Sequence, residues 1–151
     1  MTAIKLGVRP KNFKRTVKFP MLDGSEGAIE WSLKYRTRKE FGAFVDEWQA
    51  KQQAASEAAM KAKLEEHDKA VAAAKEAGTE PPPLELLSQG ELQDKIVAAG
   101  SEFVMEIADG WSLDVEFNAD NVQQLCDEVP AAVAAVNEAY RIACTEGRLG
   151  N

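Results

Sequence analysis

Two stretches of the chain alternate apolar and polar residues with a period of two. In "RTVKF", Val17 and Phe19 fall on one face and Thr16 and Lys18 on the other. In "IEWSLKYR", Ile29, Trp31, Leu33 and Tyr35 share a face opposite Glu30, Ser32, Lys34 and Arg36. Such alternation is the mark of half-buried strands. The turn-rich "PMLDGSEG" between them predicts a β-hairpin around Asp23-Gly24, with a loop longer than two residues. A lone hairpin is marginal in water, so its apolar face is expected to rest on helices.

The period then changes to that of a helix. Thr37 with Glu40 three residues on forms a capping box that opens a helix at "RKEFGAFVDEW", with Phe41, Phe44, Val45 and Trp48 on one stripe. From Ala50 the chain becomes rich in Ala, Glu and Lys. Only Met60, Leu64 and Val71 are sizeable apolar groups there, and Glu57–Lys61 and Glu65–Lys69 support the helix as i,i+4 pairs. This is expected to be an exposed helical extension ended by Gly78. "TEPPPLELLSQG" breaks it, because prolines lack a donor and favour extended backbone. Leu92, Ile96, Ala99, Phe103 and Ile107 predict a further helix up to Gly110, and "WSLDVEF" a short extended connector. Asn118 is a candidate N-cap for a helix carrying Val122, Leu125, Cys126 and Val129. Pro130 suits the first position of a last helix, with Val133, Val136, Tyr140 and Ala143 inward and Gly147 as its stop.

The expected fold class is therefore α+β: an N-terminal β-hairpin packed on a small helical bundle, with an Ala/Glu/Lys-rich helical extension. Residues 1–12 read as a flexible arm and 13–151 as a single domain, in which 50–90 form an exposed helical insertion and a Pro-rich loop. A chain of 151 residues buries roughly 70% of its unfolded surface and holds a core without disulfides or metal. Cys126 and Cys144 sit inside helical apolar patterns and are expected to be buried or half-buried free thiols. With neither a charged-then-apolar leader nor an apolar run near 18 residues, the expectation is a soluble, cytoplasmic protein without a membrane role.

Charge divides the chain. Residues 1–39 carry ten Lys/Arg against three Asp/Glu, whereas residues 40–151 carry eight against twenty-two, within a net charge of −7. This argues against wholesale nucleic-acid binding, which needs a domain basic overall. A narrower nucleic-acid role for "RPKNFKRTVKF" stays open beside the simpler one of a basic edge for an acidic protein partner.

Signals for chemistry are weak. His67, the only histidine, lies midway along the Ala-rich stretch without the partner spacing of a base or ligand, and is expected on a solvated face. In "DVEFNADN", Asp114, Glu116 and Asn118 alternate like the first ligands of a calcium loop. Ala119 stands where that loop needs Gly, however, and Leu125 where it needs a bidentate Glu. The alternation is explained without a metal if Val115 and Phe117 face inward. No catalytic, metal or cofactor-binding residue is predicted.

Three stretches nevertheless resemble the tail assembly chaperones of long-tailed bacteriophages and prophages. They are "KRTVKFPMLDGSEGAIEWSLKYRTRKEFGAFVDE", "GWSLDVEFNADNVQQLCDEVPAAVAAVNEAY" and the ending "TEGRLGN". The likeness lies at both ends of the chain. It does not reach "AKQQAASEAAMKAKLEEHDKAVAAAKEAGTEPPPLELL", which looks like an insertion. The resemblance implies a non-enzymatic protein of the host bacterial cytoplasm, absent from the mature virion. Its partner would be the largely helical tape measure protein, kept soluble until major tail (tube) subunits polymerise around it. Many members are also made in a longer form, by ribosomes slipping back one nucleotide near the gene's end. Leu149-Gly150-Asn151 can be encoded as CUG GGA AAC, which holds the slippery run G GGA AAC in the required phase. Recruitment of tube protein is then expected through the frameshift extension. Self-association stays open, and a tail adaptor retained in the virion is the alternative. The expected partner-binding residues are the basic hairpin face (Lys14, Arg15, Lys18, Lys34, Arg36) and the aromatic connector (Trp111, Phe117).

Overall fold

The computed structural model describes residues 2–148. The slippery-run residues Leu149-Gly150-Asn151 lie outside that range. The fold is α+β, with a three-stranded antiparallel sheet and four helices in the order β1 (Asn12–Pro20), β2 (Glu26–Lys34), α1 (Arg38–Ala77), α2 (Gln89–Ile107), β3 (Ala108–Trp111), α3 (Ala119–Glu128) and α4 (Pro130–Glu146). The described residues form two compact units, residues 2–42 with 96–148, and residues 43–95.

In the first unit, β1 and β2 pair from Asn12↔Lys34 to Pro20↔Glu26. Their loop closes with Gly24 at φ +86°, a conformation glycine adopts without strain, while the Asp23 carboxylate accepts from the Ser25 amide at 2.9 Å. The inward positions are Phe13, Arg15, Val17 and Phe19 on β1, and Ile29, Trp31 and Leu33 on β2. Tyr35, expected to continue that face, lies past the strand end and is exposed. Helix α4 covers the inner face, burying Ala132, Val136 and Tyr140 against the strands. The phenol ring of Tyr140 stacks on Phe13 at 6.5 Å and meets Phe41 at 5.8 Å.

The predicted caps form. Thr37 Oγ1 accepts from the Glu40 amide at 3.2 Å, and the Glu40 carboxylate accepts from the Thr37 amide at 3.0 Å. Asn118 Oδ1 accepts from the Asn121 amide at 2.8 Å, so this residue starts α3 and needs no metal to explain it. Pro130 opens α4, and Gly147 ends it in the left-handed region at φ +66°. Cys126 is buried and Cys144 half-buried, both as free thiols.

The stretch between α2 and α3 departs from expectation at two places. The helix before Gly110 stops at Ile107, and Ala108–Trp111 becomes a third strand on the free edge of β2, with Trp31↔Trp111 and Leu33↔Ala108 in register. The buried stripe of α2 is accordingly Ser101, Val104 and Ile107, while Leu92 and Ile96 are exposed. The "WSLDVEF" connector also fails to hold its alternation. Val115 is 54% exposed, because after Trp111 the backbone bends repeatedly instead of running straight.

In the second unit, the α1 helix runs unbroken to Ala77, and Gly78 turns the chain back at φ +71°. The returning segment retraces the helix. Thr79 N–H bonds to the Ala74 carbonyl at 3.0 Å, His67 Nε2 meets the Pro82 carbonyl at 3.1 Å, and Lys63 pairs with Glu91 at 3.3 Å. His67 is thus half-buried under the proline segment, not solvated as expected. Ala59, Lys63, His67, Ala70 and Ala74 lie on the covered stripe at spacings of three and four residues, with half-buried Val71 beside them. Alanine suits that stripe because the return segment, held at Thr79, Pro82 and Glu91, lies close to the helix.

Candidate partner-binding surfaces

The five cations grouped as one basic face do not share one. Strand parity puts Lys14 and Lys18 on the outer face of the sheet, beside Thr16, Glu30 and Ser32. Arg15, one residue along, points inward opposite Trp31. Its guanidinium lies 5.7 Å from the Phe13 ring centre, and its Nε is buried. Charge on the outer face is mixed, since Lys18 pairs with Glu26 at 3.6 Å and Lys14 approaches Glu30 at 4.0 Å. Exposed pairs of this kind contribute little to stability and leave the lysines available to a partner.

Lys34 and Arg36 serve the fold. Helix α2 has no cation in its last turn, and its final carbonyls lack helical partners. Lys34 Nζ donates to the Met105 carbonyl at 3.3 Å, and Arg36 Nη1 to the Glu106 carbonyl at 3.2 Å. Two cations from the hairpin therefore answer the negative end of a helix about 70 residues away. Arg36 also donates to the Tyr140 hydroxyl at 2.9 Å, and that hydroxyl donates to the Lys34 carbonyl at 2.9 Å. Burial pushes the Tyr140 phenol up to about 12, against the opposing pull of Arg36. Nearby, hydrogen bonds from Ser32 and Asn12, and then the charge of Lys34, hold the Asp109 carboxyl below the usual carboxylate range.

Trp111 and Phe117 do come together. Their rings meet edge to face at 5.1 Å, and Trp111 also packs on Trp31 at 5.7 Å. The Trp111 indole donates to the Val115 carbonyl at 2.9 Å, holding the bent connector as a compact aromatic corner. Both rings are half-buried, so their outer edges remain accessible.

A further apolar open surface lies elsewhere. Leu84, Leu86 and Leu87, directly after the three prolines, are 43%, 50% and 42% exposed. The anchors at His67–Pro82 and Lys63–Glu91 hold this stretch along the turn of α1 that carries Met60 and Leu64, which are exposed too. Met60 and Leu64 stand out in the sequence as sizeable apolar groups on a helix, whereas these leucines follow no helical or strand period. The available signal was three leucines in four positions within a Pro-bounded segment too short to build its own core. No group of His, Cys, Asp or Glu able to hold a metal occurs among the described residues. No helix there is long and apolar enough to cross a membrane.

A surface that offers side chains for contact, rather than an oriented base or nucleophile, is what a binding protein needs. The whole chain, residues 1–151, matches the family described as phage tail assembly chaperone. The protein belongs to that family. The matched range includes residues 50–87, so the stretch that looked like an insertion falls within it. No curated protein and no solved structure matches this chaperone. As a tail assembly chaperone it acts among phage tail proteins.

Proposed function

We propose that this chaperone binds the tape measure protein transiently and non-covalently in the host cytoplasm. It would keep that protein soluble and leave before the virion is complete. One observation carries the reading: the uncovered leucine surface of Leu84, Leu86 and Leu87 beside Met60 and Leu64, on a unit whose residues 43–95 hold eleven Asp/Glu against six Lys/Arg. An apolar helix otherwise prone to aggregate can cover such leucines, while the acidic surround keeps the complex dispersed. Lys14 and Lys18, with the Trp111–Phe117 corner, form a second contact surface on the other unit. Arg15, Lys34 and Arg36 are left to the fold.

Co-expression with the tape measure protein tests this reading. Leu84→Ser, Leu86→Ser and Leu87→Ser together should lower the soluble tape measure fraction and its recovery in pull-down, and Lys14→Glu with Lys18→Glu should weaken binding further. Unchanged recovery in both variants would remove the surfaces, and the chain appearing stoichiometrically in purified virions by mass spectrometry would replace a chaperone with a tail adaptor. We further propose a −1 frameshift product whose extension recruits tube subunits. A Gly150 codon other than GGA, or no overlapping −1 frame, ends that part.

A further inference from the structure

The segment before β1 presents an unusual surface. Ile4, Leu6 and Val8 are 90%, 96% and 75% exposed, around a turn at Leu6-Gly7 where Gly7 takes φ +80°. Two contacts among the described residues anchor the segment where it joins the fold. Arg9 pairs with Glu40 at 2.7 Å, and the Lys11 carbonyl accepts from the Tyr35 amide at 3.1 Å. Residues 2–11 carry Lys5, Arg9 and Lys11 and no carboxylate. The leucine segment is the reverse in charge. Residues 79–94 carry Glu80, Glu85, Glu91 and Asp94 and no Lys or Arg, around the exposed Leu84, Leu86 and Leu87.

We infer that the basic apolar arm of one copy docks on the acidic leucine surface of a second copy. Each surface has three large apolar side chains to bury, and water is the alternative cover for both. Electrostatics selects the crossed pairing. Arm against arm would set cations together and leucine surface against leucine surface would set carboxylates together, both costly, whereas arm against leucine surface sets opposite charges at every approach. Lys5 and Lys11 supply the attraction, since Arg9 is held by Glu40 and Glu91 by Lys63. The contact joins two different patches, so a pair closes by exchanging arms reciprocally or grows by adding copies in one direction. It is small, so it is weak and readily displaced. Whatever client the leucines serve, the contact covers them where copies are concentrated and yields to a tighter-binding client.

Sedimentation velocity on the full chain, from about 1 µM to about 1 mM, covers the range in which a small interface associates. The sedimentation coefficient should rise with concentration, and less so at high salt, because the charges are solvent-exposed. Ile4→Ser/Leu6→Ser/Val8→Ser and Leu84→Ser/Leu86→Ser/Leu87→Ser should each stay monomeric alone. Mixed together they should form a heterodimer, since each supplies the surface the other lacks. Lys5→Glu/Lys11→Glu should weaken association at least about tenfold, and adding Glu80→Lys/Glu85→Lys in the same chain should restore it. All these positions are on the surface, and far-UV circular dichroism confirms that each variant is folded. A wild-type chain monomeric throughout, either triple variant associating like the wild type, or a mixture that stays monomeric would each overturn the inference. None of those results touches the tape measure reading, which the pull-down tests separately.

Discussion

Tyr140→Phe removes one oxygen from the centre of the first unit and leaves the ring contacts with Phe13 and Phe41 in place. The wild-type ring is wholly buried. Its hydroxyl joins β2 to the cation that answers the end of α2, donating to the Lys34 carbonyl and accepting from Arg36, each at 2.9 Å. A neutral bond of this kind contributes about 1 kcal/mol and one to a cation about 1.5–3 kcal/mol. Arg36 is half-exposed and keeps the Glu106 carbonyl, which reduces the second loss. The variant should therefore lose about 2 kcal/mol at pH 7, a fall in Tm of roughly 4–8 °C for a chain of this size. Alkali should erase the difference. The folded phenol ionises near 12, whereas an unfolded tyrosine ionises at about 10. Below pH 10 both states hold the proton, and the wild-type advantage is complete. As pH rises from 10 towards 12 the unfolded chain ionises first, so the wild type alone is destabilised, by about 1.4 kcal/mol at pH 11. Urea titrations followed by tryptophan fluorescence at pH 7, 9 and 11 measure the gap directly. Equal stabilities at pH 7, or a gap that stays constant to pH 11, would refute the account.

Other outcomes follow from the same geometry. Thr37→Ala should cost about 1 kcal/mol by opening the capping box; hydrogen bonds from the Thr37 backbone and side chain, then the charge of Arg9, hold the Glu40 carboxyl low, so the stabilisation persists above the ordinary Glu range and is lost as acid protonates it, which acid-unfolding curves of wild type and variant will show. Gly27→Ala should destabilise by about 1–3 kcal/mol, because a Cβ there would lie 2.7 Å from the Phe19 ring opposite it; chemical denaturation gives the value. Asn118→Ala should cost about 1 kcal/mol while leaving calcium without effect on Tm, since the residue caps a helix. Burial raises the Cys126 and Cys144 thiols, so both should react with a thiol-specific disulfide reagent far more slowly in the native protein than in urea.

Local signals were legible and distant ones were not. Thr37 with Glu40, Asn118, Pro130 and Gly147 act within a few residues of themselves, and each does what its position in the chain suggests. Val17, Phe19, Ile29, Trp31 and Leu33 likewise declare the inner face by parity. The third strand was hidden because "ADGW" is four residues long and contains Asp-Gly, a turn signal; only the open edge of β2 makes it a strand. Arg15 was grouped by charge when its parity with Phe13 and Val17 already placed it inward. The roles of Lys34 and Arg36 depend on where α2 ends, which no stretch near them encodes. The leucines after the prolines went unweighed because neither helical nor strand periodicity organises them.

The cations at the end of α2 make the finish of that helix conditional on a distant part of the chain. A helix whose C-terminus is satisfied from its own last turn can persist in an isolated fragment; this one depends on Lys34 and Arg36, made well before it during synthesis. Peptides beginning after Arg36 should therefore fray at Met105–Ile107, where those two donors are missing.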